Sequence, residues 1–525
     1  MPTIVPMKNL PRAPRIAFLQ PGQLVPRDAR DAMHSFNVST TALAILGSLR
    51  DGGYEDLHFF DVACEQGMVL SDWNEALLYK GAADGDVEAW LQGTAPDVVC
   101  LTSMFTCDFP ATEHLCNLIK RALPDSVLVV GGRHASLMPH WHLEIAAVDY
   151  LVQGEGEETI VALMHGLTGR SDVDPRTLTG VFTRESGDLH NPREWPNAKL
   201  GGSFAQDVVL WKPDGSFRYK EVVLQESPKD FLYKRKATAL HSAPLMPTRG
   251  CPLACRFCGS HFTPEMRPVG VRRLMDDIAY AHDRGVRIFY NISENFCLHE
   301  QDRVLVAELA DFRDKVDGDL VLTHPNSTYL PIYMNSKREP DLPFLDLIVR
   351  AGTDLITISI ETFSPRFDDK KLFKKYSMQE VEALWTALQK VGLKVHLYMM
   401  TGFPGQTTDE LMTDVAHIES WVSRGLVNAA SFSNLLYLPG TPYYRQAVKK
   451  NWFTEAQFRQ WINEGFNFFA VPERLNFSAV PTALLREVLG HLRLADYAGA
   501  LAAGRVAARD PVSLSGIPVR MSGTR

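Results

Sequence analysis

The stretch that decides the fold is Thr248-Arg249-Gly250-Cys251-Pro252-Leu253-Ala254-Cys255-Arg256-Phe257-Cys258-Gly259. Its three cysteines are spaced Cys-x3-Cys-x2-Cys. A [4Fe–4S] cube presents iron at four corners and prefers thiolate ligands. A compact loop carrying Cys251, Cys255 and Cys258 can wrap three corners, and no fourth cysteine follows at close spacing. One iron is then left for an external ligand. The competing reading is a Cys3His zinc site completed by His261, but it would crowd four ligands into eleven residues. Structural zinc more often draws on separated pairs.

Outward from this loop, residues 243–444 alternate strand and helix. RRLMDDIAYAHDRG reads as a helix followed by the strand VRIFYNI, and LPFLDLIVRAG as a helix followed by LITISIE. With the strand entering the cysteine loop the pattern predicts six βα units, a partial (β/α)6 barrel short of the eight that close one. Period-two alternation places Ile356, Ile358 and Ile360 on one face of their strand and Thr357, Ser359 and Glu361 on the other. Isoleucines belong under the covering helices. The Thr-Ser-Glu face is then expected to line the interior, where a polar ligand would sit. His396 and Tyr398 share a strand face and are the candidate catalytic side chains.

Residues 15–167 also alternate, with Val/Ile/Leu-rich runs such as RIAFLQP, PDVVCLTSM and SVLVVGG. That pattern predicts an α/β, doubly wound parallel sheet, whose ligands sit beyond the carboxyl ends of the strands. Residues 168–242 are richer in Pro, Gly, Asp and Arg, and read as a connector with β-like pieces VVLW and KEVVLQ. Residues 445–525 read as a helical tail with Trp452, Phe453, Trp461 and Phe466 as packing aromatics.

The set resembles the class B radical S-adenosylmethionine (SAM) enzymes, in which a cobalamin-binding-like domain precedes a radical SAM partial barrel. The cysteine spacing and the aromatic Phe257 before the last cysteine carry the resemblance, together with the order of the strand-end motifs. It implies that the open iron is chelated by SAM. It implies SAM contacts at Glu294 and Asn295 after the second barrel strand, at Ser359 and Glu361, and at Gly402 in Thr401-Gly402-Phe403-Pro404-Gly405. Leu438-Pro439-Gly440-Thr441-Pro442 is typical of the same branch. In the N-terminal domain it implies cobalamin contacts at Thr102, Ser103, Gly131, Gly132, His134, Gly154 and Glu155. The Asp-x-His-x-x-Gly motif that supplies a lower cobalt ligand is missing; Asp56-Leu57-His58 lacks its glycine.

The resemblance implies a [4Fe–4S] cluster, SAM and cobalamin as cofactors, an external electron donor such as flavodoxin or ferredoxin, and most often methyl transfer to a small molecule in a biosynthetic pathway. Transfer of the 3-amino-3-carboxypropyl group of SAM, and rearrangement or cyclisation, are the alternatives within the enzyme class. A non-catalytic cobalamin or metal sensor is the alternative outside it. The net charge of −8 over 525 residues argues against a broad nucleic-acid surface. No apolar run reaches the roughly 18 residues of a membrane span. The N-terminus lacks a signal-peptide stretch, so a cytoplasmic location is expected. The other five cysteines are dispersed and are expected to be packed or free thiols.

Overall fold

The computed structural model describes residues 10–27, 38–64, 70–186, 200, 202–219, 222–223, 239–369, 375–465 and 473–489. The chain divides into two compact units. One takes in Met1–Val222, Ala239–Asn326 and Leu436–Phe468, the other Val223–Thr238, Ser327–Leu435 and Phe469–Arg525.

The first unit begins with strands β1 (Ile16–Gln20), β2 (Gln23–Pro26), β3 (Leu57–Asp61), β4 (Leu70–Asp72), β5 (Leu77–Lys80), β6 (Val98–Thr102), β7 (Val127–Gly131), β8 (Tyr150–Val152) and β9 (Val181–Phe182). Six of them form one sheet in the order β3-β1-β6-β7-β8-β9, with β9 antiparallel to its neighbour and the rest parallel. Counted along the chain, the parallel strands run 2-1-3-4-5, the doubly wound order whose switch point lies between β1 and β6. All five residues of β6 are buried, as expected of a strand with helices over both faces. Helix Thr40–Asp51 starts where Ser39 Oγ accepts the Ala42 N–H at 3.2 Å. It buries Leu43, Leu46 and Leu49, each worth roughly 1.5–3 kcal/mol when fully removed from water.

The sequence pattern did not show the small antiparallel sheet β2-β5-β4. Its strands are three or four residues long, too short for alternation to register. It also did not show that the connector contributes β9 to the N-terminal sheet. VVLW, expected to be β-like, instead overlaps helix Gln206–Val209, with Trp211 bridging Phe217.

The chain divides within β10 (Val222–Val223), and the first unit continues with β11 (Ala239–Leu245), β12 (Thr248–Arg249), β13 (Arg267–Pro268), β14 (Val286–Asn291) and β15 (Val321–Thr323). Strands β11, β14 and β15 pair in parallel, in chain order, with helices Val271–Asp283 and Glu300–Lys315 between them. Strands β12 and β13 form a two-stranded antiparallel ribbon. In the tail, Phe453 stacks on Phe458 at 5.4 Å and meets Trp461 edge-on at 5.8 Å. Phe466 and residues 490–525 lie outside the described residues.

The second unit holds the parallel sheet β16 (Leu355–Glu361), β17 (Lys394–Thr401) and β18 (Ala429–Asn434). Its two intervening helices, Met378–Lys390 and Thr408–Ser423, each open with a capping box, Ser377 with Glu380 and Thr407 with Glu410. Trp385 and Trp421 meet edge to face at 5.6 Å, both fully buried. All six strands expected of the partial barrel are present, three in each unit. Among the described residues they form two sheets and no closed ring. No described helix is long and apolar enough to cross a membrane.

Candidate active site

The ribbon β12–β13 frames the cysteine loop. Gly250, at its mouth, has φ +89°, and a Cβ there would come within 1.9 Å of the Glu265 carbonyl oxygen. Only glycine fits. Its N–H donates to Glu294 Oε2 at 3.1 Å, so one of the expected SAM-binding residues also fixes the start of the loop. Cys251 N–H donates to Thr263 O at 2.9 Å and Cys258 N–H to Cys255 O at 3.1 Å, folding the loop on itself. Cys251 and Cys255 are buried and Cys258 is half-buried. Asn295 Nδ2 lies 3.9 Å from Cys251 Sγ, and the Ser260 N–H points at Cys258 Sγ from 3.4 Å. Burial pushes the Cys251 thiol up, against hydrogen bonds from Leu253 and Asn295. Iron would take the place of that proton. Soft thiolates, with N–H groups aimed at their sulfurs, fit an iron–sulfur cluster. Among the described residues no group of three or more His, Cys, Asp or Glu side chains is already drawn together around a metal position. A cube instead binds each thiolate to its own iron. The side chain of His261 lies outside the described residues.

Beyond the carboxyl ends of the N-terminal strands lies a cavity of about 1240 Å³, counting its open mouth. Thr102, Gly131, Gly132, Gly154 and Glu155, to which the resemblance assigns cobalamin contacts, are among its lining residues. Its walls are largely apolar, with Phe18, Ile45, Val129 and Ile160 among them. Thr102 Oγ1 is buried and without a hydrogen-bond partner. An unsatisfied hydroxyl beside apolar walls fits a large flat group with an amide periphery. The frame of the cysteine loop also contributes to the lining, through Arg249, Thr263 and Glu294.

Several residues to which the resemblance assigns cobalamin contacts also have partners within the chain. His134 does not line the cavity. Its ring is buried among Phe109, Trp141 and His142, and Nδ1 faces Thr106 Oγ1 at 3.1 Å. Desolvation holds that imidazole well below its ordinary pKa, hence neutral. Ser103 sits behind the wall, its Oγ 2.9 Å from His142 Nε2 and its backbone N–H on Gly131 O. Gly132 lines the cavity, but its glycine requirement is internal. Its φ is +105°, and a Cβ would lie 2.6 Å from Ser103 O. Glu155 does not offer a free carboxylate, because Arg267 Nη1 donates to it at 2.7 Å. No histidine lines the cavity among the described residues. His58, in β3, instead pairs with Asp56 just before the strand, at 2.7 Å.

The second unit carries a polar sheet face. Thr357 pairs with His396, and Ser359 with Tyr398. Ile356, Ile358, Val395 and Leu397 are fully buried on the other face. His396 is itself wholly buried, with Nε2 2.6 Å from Ser431 Oγ and its ring edge-on to Tyr398 at 4.9 Å. Ser359 Oγ meets Ser327 Oγ. The alternation stops short of Glu361. The register slips between Ser359 and Glu361, which then pairs with Met399, and Glu361 adopts φ +68°. Strict period-two reasoning therefore does not fix the direction of this carboxylate. Gly402, at φ +79°, would place a Cβ 2.2 Å from Asn434 Oδ1. Its N–H donates to Gln406 Oε1 at 2.8 Å. Asn434 and Gln406 were not singled out in the sequence, where nothing but spatial proximity marks them.

Residues 245–418 match the Radical SAM superfamily, and residues 42–164 match the B12 binding domain. The chain is a radical SAM enzyme with a B12-binding domain. A radical SAM domain implies a [4Fe–4S] cluster and SAM, and a B12-binding domain implies cobalamin. Among curated relatives, this radical SAM enzyme is 22% identical over 427 residues to the cytidylyl-2-hydroxyethylphosphonate methyltransferase of Streptomyces wedmorensis, covering 75% of each chain. It is 25% identical over 253 residues to an anaerobic magnesium-protoporphyrin IX monomethyl ester cyclase of Cereibacter sphaeroides, covering 47% of this chain and 35% of the cyclase. Among solved structures, the radical SAM methyltransferase TsrM of Kitasatospora setae shares the fold. Its TM-score is 0.60 at 17% identity, over 83% of this chain and 76% of TsrM.

Proposed function

We propose that this enzyme is a cobalamin-dependent methyltransferase acting on a small molecule in a biosynthetic pathway. The observation that carries the reading is the shared cavity. Its lining comes from the carboxyl edge of the B12-binding sheet and from the frame of the cysteine loop. A group held there would meet Arg249, two residues before Cys251, and Glu294, which is bonded to Gly250. The methyltransferase relative spans three quarters of the chain, with 75% coverage on each side, which supports methyl transfer over other outcomes.

When bound, cobalamin supplies a methyl carrier, and the cluster with SAM supplies the means to generate an organic radical. The chain's own part is positioning. Cys251, Cys255 and Cys258 would hold three irons and leave the fourth to SAM. Glu294 and Asn295 would border that open position, since both already touch the loop. Thr102 would hydrogen-bond the cobalamin periphery. In the second unit, Thr357, Ser359 and Tyr398 would offer a polar sheet face to a ligand. His396, held by Ser431, would fix the Tyr398 ring. An external donor such as flavodoxin or ferredoxin would supply electrons in the cytoplasm.

The cyclase relative supports a second reading, in which the same site forms a ring and transfers no methyl group. The products of SAM separate the readings. The anaerobically reconstituted enzyme is reduced and given SAM and a small-molecule extract, with and without cobalamin. Methyl transfer predicts cobalamin-dependent S-adenosylhomocysteine together with 5′-deoxyadenosine. 5′-Deoxyadenosine alone would contradict it in favour of cyclisation, and methylthioadenosine would point to 3-amino-3-carboxypropyl transfer.

A further inference from the structure

Arg249 and Arg267 face each other across the β12–β13 ribbon. Like charges directly opposite on paired strands destabilise the pairing. Here both guanidiniums turn toward the start of helix Glu157–Leu167 in the B12-binding domain. Arg267 Nη1 donates to Glu155 Oε2 at 2.7 Å, and Arg249 Nη1 lies 3.7 Å from the same oxygen. Arg249 Nη2 also pairs with Glu157 Oε1. All four side chains are only 13–15% exposed. Arg249, Glu155 and Glu157 line the shared cavity, and Arg249 is two residues from Cys251.

We propose that Glu155, Glu157, Arg249 and Arg267 form an electrostatic clasp through which the B12-binding domain holds the iron–sulfur loop closed. The two acidic residues relieve the arginine–arginine repulsion that would otherwise open the ribbon at the mouth of the loop. Arg249 is then a positioning residue, acting on the cluster through Gly250 and Cys251. The inference rests on the reading of the three cysteines as cluster ligands. It adds that cluster retention depends on residues of the other domain.

The test uses the full-length, anaerobically reconstituted protein. Its readouts are the rate at which a chelator strips iron and the electron paramagnetic resonance spectrum of the reduced cluster. Breaking one partner of a buried ion pair leaves the other uncompensated, so Arg249→Met and Glu157→Arg are each expected to lose iron about tenfold faster. The exchanged pair, Arg249→Glu with Glu157→Arg, recovers most of that loss. Glu155→Gln keeps the shape and removes one charge, and provides a milder variant with an effect of about threefold. Wild-type iron retention and spectrum in Arg249→Met and Glu155→Gln would overturn the clasp alone, and so would an exchanged pair no better than the single changes. A wild-type chain that takes up neither iron nor cobalamin overturns the cofactor reading and the clasp with it.

Discussion

The carboxyl-end region of the first unit and the polar sheet face of the second are built by different means. Around the cysteine loop, geometry is set by long-range partners. Arg267 reaches Glu155 across 112 positions, and Gly250 reaches Glu294 across 44. On the second unit's sheet, geometry is set by strand periodicity and register. Thr357, Ser359, His396 and Tyr398 share a face because their strands pair in parallel. The contrast teaches that the loop depends on single contacts, whereas the sheet face is specified many times over by its hydrophobic side. Changes at the loop should therefore cost more than changes on the sheet.

The largest effect is expected at the ligands. Replacing Cys251, Cys255 or Cys258 with Ala should abolish cluster loading, measured as iron and sulfide per chain, while helix content by circular dichroism is unchanged. Gly250→Ala comes next. The positive φ alone costs about 1–3 kcal/mol, and the 1.9 Å approach to Glu265 O forces the loop to move. Iron content should fall severely with all three cysteines present; normal loading would show that the loop tolerates a Cβ. Thr102→Val and Ser359→Ala each remove one hydroxyl. A hydrogen bond of ordinary strength predicts about 3- to 10-fold weaker binding of cobalamin and SAM respectively, read by titration. An unchanged affinity would remove that residue from its site.

The smallest effect tests the frame of the second unit. Asp414 accepts the Thr362 hydroxyl and the Phe363 N–H, both at 2.8 Å, just beyond β16. Desolvation raises its pKa from 3.8 to about 7. Between those values the folded chain retains a proton that the unfolded chain has released, so this group's contribution makes stability fall as pH rises from about 4 to about 7. Asp414→Asn should flatten that part of the wild-type pH profile of thermal unfolding. Profiles of identical slope would contradict the assignment.

What the sequence showed follows the same division. The isoleucine and Thr-Ser alternation of Leu355–Ser359 predicted the buried and polar faces without structural help. The prediction stopped at Glu361 because a bulge and a left-handed backbone are conformational choices that side-chain periodicity does not encode. The cysteine spacing pointed to a cluster, and the glycines at 131 and 132 to a close approach of a flat group to the backbone. Yet the reason for Gly132 lies in the Ser103 carbonyl, and Glu155 is held by an arginine far along the chain. Such pairings are products of the fold. His134 had a binding residue's position in the motif, but its neighbours Phe109, Trp141 and His142 close around it.

The central claim is that one cavity, walled by both domains of the first unit, sets cobalamin beside the cluster. Its most direct test is pulsed electron paramagnetic resonance on the reconstituted protein carrying cob(II)alamin and the reduced cluster. The account predicts a resolved dipolar interaction between the two centres within one chain, lost in the cysteine-to-alanine variants. Bound cob(II)alamin that is magnetically isolated from a fully loaded, reduced cluster would contradict it.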